Sequence, residues 1–166
     1  RSPSSLNTDE ELNFFKSLNP DIVVVVAYGQ LIPKKFLNVP RKGFINIHAS
    51  LLPRWRGAAP IQRAIINLDK VTGVSIMKII EELDSGPVMK KVKINISPLN
   101  TSGEVLEKLS NIGSENIVEA LDDIFSEKVK FIEQDHNLAT YAKKIKKNEG
   151  KINWDQNAKN IIGKIN

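Results

Sequence analysis

Asn46 and His48 stand two residues apart in Gly43-Phe44-Ile45-Asn46-Ile47-His48. On an extended strand residues i and i+2 share a face, so this spacing sets an amide and an imidazole side by side where the strand ends. Ligands of parallel sheets bind beyond the carboxyl ends of strands, which makes this an expected place for a site. Further on, Ile79-Ile80-Glu81-Glu82-Leu83-Asp84-Ser85-Gly86-Pro87 carries an acidic cluster into a Gly-Pro turn. If the two strands are neighbours, Asp84 falls at the same sheet edge as His48. An amide, a histidine and an aspartate in one cleft suit acyl transfer to an amine: donors hold the developing oxyanion while the carboxylate side manages protons. The bland alternative is an Asn and a His that cap a strand-end loop. Ser50 follows His48 too closely to be its triad partner, and no Gly-x-Ser-x-Gly elbow occurs.

Other chemistries find less support. The chain has no cysteine and two histidines, which excludes disulfides, thiolate nucleophiles and thiolate metal sites. His136 is alone in a polar stretch, so no metal is expected, and neither a G-x-G-x-x-G nor a Walker A sequence is present. Arg54-Trp55-Arg56 has the types that stack on and neutralise a nucleic acid, and equally those of a basic surface loop. A net charge of +5 makes an acidic partner plausible, against the alternative of lysines that simply face water. Absence of cysteine fits a reducing, cytoplasmic location. No apolar run approaches the roughly 20 residues that cross a bilayer.

The elements that must position these side chains follow from pattern. Thr8-Asp9-Glu10-Glu11 has the form of a capping box and predicts a helix over 9–18. Residues 22–27, β-branched and apolar throughout, predict a strand covered on both faces. Strands are also predicted over 43–48, 73–79 and 88–96, the last alternating and edge-like. Between the second and third, Ala58-Ala59-Pro60-Ile61-Gln62 opens a helix to about Leu68, and strand, helix, strand predicts a βαβ unit. Thr101-Ser102-Gly103-Glu104 is a second capping box, starting a long amphipathic helix that Gly113 is expected to bend or break. Beyond Phe131 the chain turns polar and lysine-rich, as a connection leaving the domain would, and Asp155 is a candidate cap for a last helix. The fold class expected is α/β, a mostly parallel sheet with helices on both faces.

Asn46-Ile47-His48 with Ser50-Leu51-Leu52-Pro53, followed by Leu83-Asp84-Ser85-Gly86, resembles the signature of the folate-dependent formyltransferases. The continuation Arg54-Trp55-Arg56-Gly57-Ala58-Ala59-Pro60-Ile61-Gln62 is most similar to the members that formylate methionyl-tRNA, and Tyr141-Ala142 with Ile152-Asn153-Trp154 resembles their linker. The resemblance implies a Rossmann-like fold and transfer of a formyl group from 10-formyltetrahydrofolate to the amino group of methionyl-initiator tRNA. It implies that Asn46 donates to the formyl oxygen, that His48 stabilises the oxyanion, and that Asp84 supports that charge and relays protons. Ser50, Leu51, Leu52 and Pro53 would bind folate, with Gln30, Leu31 and Ile32 and then Ile79, Ile80 and Glu81 around the pterin. A cis Leu52–Pro53 bond is implied too. The family's opening Gly-Thr-Pro strand and its C-terminal barrel have no counterpart here, and the chain starts at Arg1 and stops within a helical pattern. The expectation is therefore an internal piece: residues 1–131 as the catalytic domain without its first strands, and 132–166 as a linker toward a tRNA-binding domain. A monomer is expected. Formyl transfer to glycinamide ribonucleotide or an amino sugar is the first alternative, and a non-catalytic RNA-binding module the second.

Overall fold

Residues 43–48 alternate Phe44, Asn46 and His48 against Ile45 and Ile47. The computed structural model, which describes residues 1–166, turns that alternation into the two faces of a four-stranded sheet. The strands are β1 (Val23–Val26), β2 (Phe44–His48), β3 (Val71–Lys78) and β4 (Val88–Asn95), in that spatial order. One face carries Ile45, Val74 and Ile76, which pack on Ile61, Ala64 and Ile65 of α3 (Pro60–Ile66) and on Val105, Leu109, Ala120 and Ile124 of α4 (Ser102–Phe125). The other face carries Phe44, packed with Leu12 of α1 (Asp9–Ser17) and Phe36 of α2 (Lys34–Leu37). Helices on both sides make the Rossmann-like α/β layering that was expected.

Strand direction differs from expectation. β1 and β2 are parallel, but β2–β3 and β3–β4 are antiparallel, so the sheet is mixed rather than mostly parallel, and the segment around α3 is not a βαβ crossover. The reason is where α3 delivers the chain: it passes through Leu68, at φ 55°, into Val71 beyond the carboxyl end of β2, and from there it can pair with β2 only by running back along it, Ser75 opposite His48 and Lys78 opposite Ile45.

Four local expectations are also corrected. Val24 and Val26 are 38% and 60% exposed, because α3 and α4 pack over Ile45, Val74 and Ile76 farther along the sheet and leave that side of β1 open. α4 runs unbroken through Gly113, whose missing side chain lets the helix lie on the sheet: a Cβ there would sit 3.0 Å from Ile47 Cγ2. Its capping box is complete, with Thr101 N–H donating to Glu104 and Glu104 N–H to Thr101 Oγ1. In α1 only Thr8 caps, since the Glu11 carboxylate is drawn to Arg1 at 3.0 Å. The final helix, α5 (Ala158–Ile165), is capped by Asn157 rather than Asp155.

After α4 the chain returns over the domain. Ile132 bridges to Val88, Tyr141 to Arg56, and Arg63 of α3 pairs with Glu149 at 2.7 Å. α5 ends with the Asn166 carbonyl accepting from the Ser102 N–H at the start of α4.

Candidate active site

Asn46 and His48 lie on the same face of β2, as their spacing requires. His48 is buried, and its Nε2 sits 2.8 Å from the Trp55 carbonyl oxygen. A carbonyl only accepts, so Nε2 carries a hydrogen and Nδ1 is left as the nitrogen that can take up or release a proton. Nδ1 faces Asp84 Oδ2 at 3.7 Å. The other carboxylate oxygen, Oδ1, accepts from Asn46 Nδ2 at 3.4 Å, and Oδ2 also accepts from the Gly57 N–H at 2.8 Å. The expected trio is together, by a different route: since β3 is antiparallel to β2, residues 79–87 must turn back along β2 to bring Asp84 over it. Ile79 N–H donates to the Phe44 carbonyl at the start of that return.

The loop between β2 and α3 holds the other side of the site. Buried Ser75 donates its hydroxyl to the Ser50 carbonyl at 2.7 Å and accepts from the Leu52 N–H at 3.1 Å. Ser50 Oγ in turn donates to the Arg54 carbonyl at 2.6 Å. The Leu52–Pro53 bond is cis, as the resemblance implied. Gly57 adopts φ 110°, and a Cβ there would meet the Ala142 carbonyl at 3.0 Å. Arg54 grips Asp69 with two hydrogen bonds of 2.9 and 2.6 Å, and Trp55 Nε1 donates to the same carboxylate at 2.8 Å.

Burial opposes the charge on Asp69, but the donors from Arg54, Trp55 and Asn67 outweigh it and hold the carboxyl below its ordinary value. A depressed folded value means the clamp's contribution is fully present above the unfolded carboxylate value, about pH 4, and is lost as pH falls through the folded one. In a Trp154→Phe background, Trp55 fluorescence is expected to stay flat from neutral pH down to about pH 5 and to change only below about pH 4. Asp69→Asn should remove that acid transition. A transition of the same midpoint in the variant would show that another group governs it.

The residues expected at the folate site fall into two groups, the Ser50–Pro53 loop and the segments 30–32 and 79–81, whose Ile32 and Ile79 pack on one cluster. Ser50 and Leu52 are 0% and 1% exposed and shape the loop from within, while Leu51 and Pro53 are half-buried. Gln30 and Leu31 are exposed, and Ile32 packs against the Leu12, Phe36 and Phe44 cluster. Ile79, Ile80 and Glu81 border a cavity of about 390 Å³ with Lys34, Leu37 and Lys78, which Gln30, Leu31 and Ile32 do not line. Glu81 pairs with Lys34 at 2.6 Å and so ties the loop after β3 to the segment after β1. Arg54-Trp55-Arg56 is not a free basic surface: Arg54 is paired, and Arg56 is 2% exposed. Gln134, which contacts Arg56 and the Asp84 loop, carried no signal in the sequence. Nothing in a lone glutamine 50 residues from Asp84 points to that contact.

The sequence pattern of the formyl transferase family matches residues 1–121. The chain belongs to the formyl transferase family. Across its whole length the chain is 56% identical, over 167 residues, to the methionyl-tRNA formyltransferase of Pelagibacter ubique, covering 54% of that protein. It is 48% identical over 164 residues to the enzyme of that name from Brucella abortus, covering 99% of this chain and 54% of the relative. The chain thus spans about half the length of the curated relatives it matches. Among solved structures it is similar to a 4-N formyltransferase from Francisella tularensis, with TM-score 0.80, 25% identity, and coverage of 96% of this chain and 65% of that one. It also shares its fold with HypX from Aquifex aeolicus in complex with tetrahydrofolic acid, with TM-score 0.78, 17% identity, and coverage of 93% and 27%. No helix of the chain is long and apolar enough to cross a membrane.

Proposed function

We propose that this formyl transferase moves the formyl group of 10-formyltetrahydrofolate to the amino group of methionyl-initiator tRNA. The observation that carries the chemistry is the convergence of Asn46 Nδ2, His48 Nδ1 and Asp84 on one point above β2. The choice of acceptor is supported by relatives 45–56% identical that are named for that reaction.

Each group has a task that its geometry allows. Asn46 Nδ2 bears two hydrogens; Asp84 takes one, and the other is available to the formyl oxygen. The neutral amine attacks the formyl carbon, a C–N bond forms, and the carbonyl oxygen gains charge that Asn46 Nδ2 stabilises, joined by His48 Nδ1 while that nitrogen carries a proton. The attacking amine's proton passes through Asp84 and His48 Nδ1 toward N10 of the folate as the C–N10 bond breaks. Folate is supported by the tetrahydrofolate complex of HypX, which shares this fold, and by exposed apolar Leu31, Ile80 and Leu83, on two segments that the Lys34–Glu81 pair holds together. In this reading Ser50 to Pro53 back the folate-binding loop, residues 1–131 are catalytic, and residues 132–166 lead toward a tRNA-binding domain. The reaction belongs in the cytoplasm, where initiator tRNA is used.

The test offers 10-formyltetrahydrofolate with methionyl-tRNA, glycinamide ribonucleotide or an amino-sugar nucleotide to the full-length protein. Preferential formylation of methionyl-tRNA is expected. Faster transfer to either other acceptor would overturn the assignment while leaving formyl transfer intact, and salt-sensitive RNA binding without folate binding would point to a non-catalytic module.

A further inference from the structure

Gln134 is 6% exposed and lies outside the segment that matches the family pattern, yet its amide is fully engaged beneath the candidate catalytic loop. Oε1 accepts from Arg56 Nε at 3.0 Å and from Arg56 Nη2 at 2.8 Å. Nε2 donates to the Asp84 carbonyl at 3.0 Å and to the Gly86 carbonyl at 2.7 Å. Chemistry dictates that orientation, because a guanidinium only donates and the two carbonyls only accept.

We propose that Gln134 is a positioning residue for formyl transfer: it fixes the backbone on both sides of Ser85 and so aims the Asp84 carboxylate at Asn46, the Gly57 N–H and His48. This rests on the formyl-transfer reading of the site. Asp84 sits at φ 47°, a left-handed conformation that a non-glycine residue adopts at a cost and keeps only where its surroundings impose it. The two carbonyl anchors hold the backbone on its C-terminal side, and Ser85 Oγ, donating to the Glu82 carbonyl at 3.1 Å, closes the turn around it. Arg56 completes the device. It is 2% exposed and has no carboxylate within ion-pairing distance, so its charge is met by Gln134 Oε1, with His136 Nδ1 at 3.5 Å. A charged donor polarises the amide it binds and strengthens what that amide donates onward. The Arg56 backbone is itself pinned, donating to the Thr140 carbonyl at 2.8 Å and accepting from the Ala142 N–H at 2.6 Å. The segment that follows α4 thus braces both loops of the site.

Two variants of the full-length protein separate positioning from mere burial. Gln134→Met keeps the bulk and loses all four bonds. Gln134→Glu keeps an acceptor for Arg56, indeed a charged one, and loses the donors to Asp84 and Gly86, so it should fold. Both are expected to lower kcat for formylation of methionyl-tRNA by about 10²-fold, the scale of a 1 Å misplacement, with KM for either substrate within about twofold. The Gly57 amide proton, which reports the bond to Asp84 whatever the acceptor, should move in both variants toward its position in Asp84→Ala, with the Gly103 amide unmoved. A Gln134→Glu protein with wild-type kcat, or a Gly57 signal that stays in place, overturns the proposal. If the wild-type protein transfers no formyl group to any acceptor the functional reading fails, and the Gly57 shift still decides whether Gln134 positions Asp84.

Discussion

His48→Ala is expected to reduce kcat for formyl transfer by about 10³-fold, in the middle of the range for loss of a positioned proton-transfer group. The size follows from where the imidazole sits. Its Nε2 is committed to the Trp55 carbonyl, so ring rotation is arrested and Nδ1 is presented to Asp84 and Asn46 without further ordering. Alanine removes both the proton carrier and a donor able to face the developing oxyanion, and leaves Asp84 with Asn46 and the Gly57 N–H as partners. The site should not collapse, because the loop from Ser50 to Gly57 is held independently by Ser75 and by Asp69. KM for folate and acceptor should change little, and the urea midpoint should remain close to wild type. Transfer within about threefold of wild type would remove His48 from the mechanism, since general acid–base catalysis contributes at least 10²-fold.

Gly86→Ala is expected to affect both stability and rate. A Cβ at this position would lie 2.0 Å from the Lys78 carbonyl oxygen, a backbone atom, and 3.4 Å from Ile80 Cγ2. Neither side can yield easily. Lys78 N–H is bonded to the Pro87 carbonyl at 2.9 Å, and the Gly86 carbonyl accepts from Gln134. We expect a loss of about 3 kcal/mol, at the upper end of typical overpacking, read as a lower urea midpoint with unchanged slope. Because Asp84 is two residues away, kcat should fall by about 10²-fold as well. Gly150→Ala is the control: a Cβ there meets nothing within 4 Å, and a surface change of that kind stays within about 0.5 kcal/mol. A Gly86→Ala protein as stable as Gly150→Ala would show that the hairpin opens freely, and the tight anchoring of Asp84 would be wrong.

Much of the architecture was legible because it depends on local rules. Period-two alternation in residues 43–48 put Asn46 and His48 on one face, β-branched runs marked the strands within a residue or two, and Pro60 and Thr101 marked where α3 and α4 begin. These features need only the geometry of neighbouring residues. The motif around Asn46, His48 and Asp84 was legible for the same reason: the chemistry needs those side-chain types, whatever brings them together.

Tertiary structure decided what depends on long-range closure. The direction of β3 follows from where α3 delivers the chain, beyond the carboxyl end of β2, and that direction requires residues 79–87 to fold back before Asp84 can face His48. Arg56 looked like a surface cation in an Arg-Trp-Arg loop, and only the return of the chain after α4 shows that it is buried against Gln134. The expected pterin residues come from two segments, 30–32 and 79–81, and only the folded chain brings Ile32 and Ile79 against one cluster of Leu12, Phe36 and Phe44. Residue types and short spacings set the local geometry and the chemistry. Contacts across 38 and 78 residues, Asn46 to Asp84 and Arg56 to Gln134, depend on the whole chain closing on itself, and no local pattern encodes them.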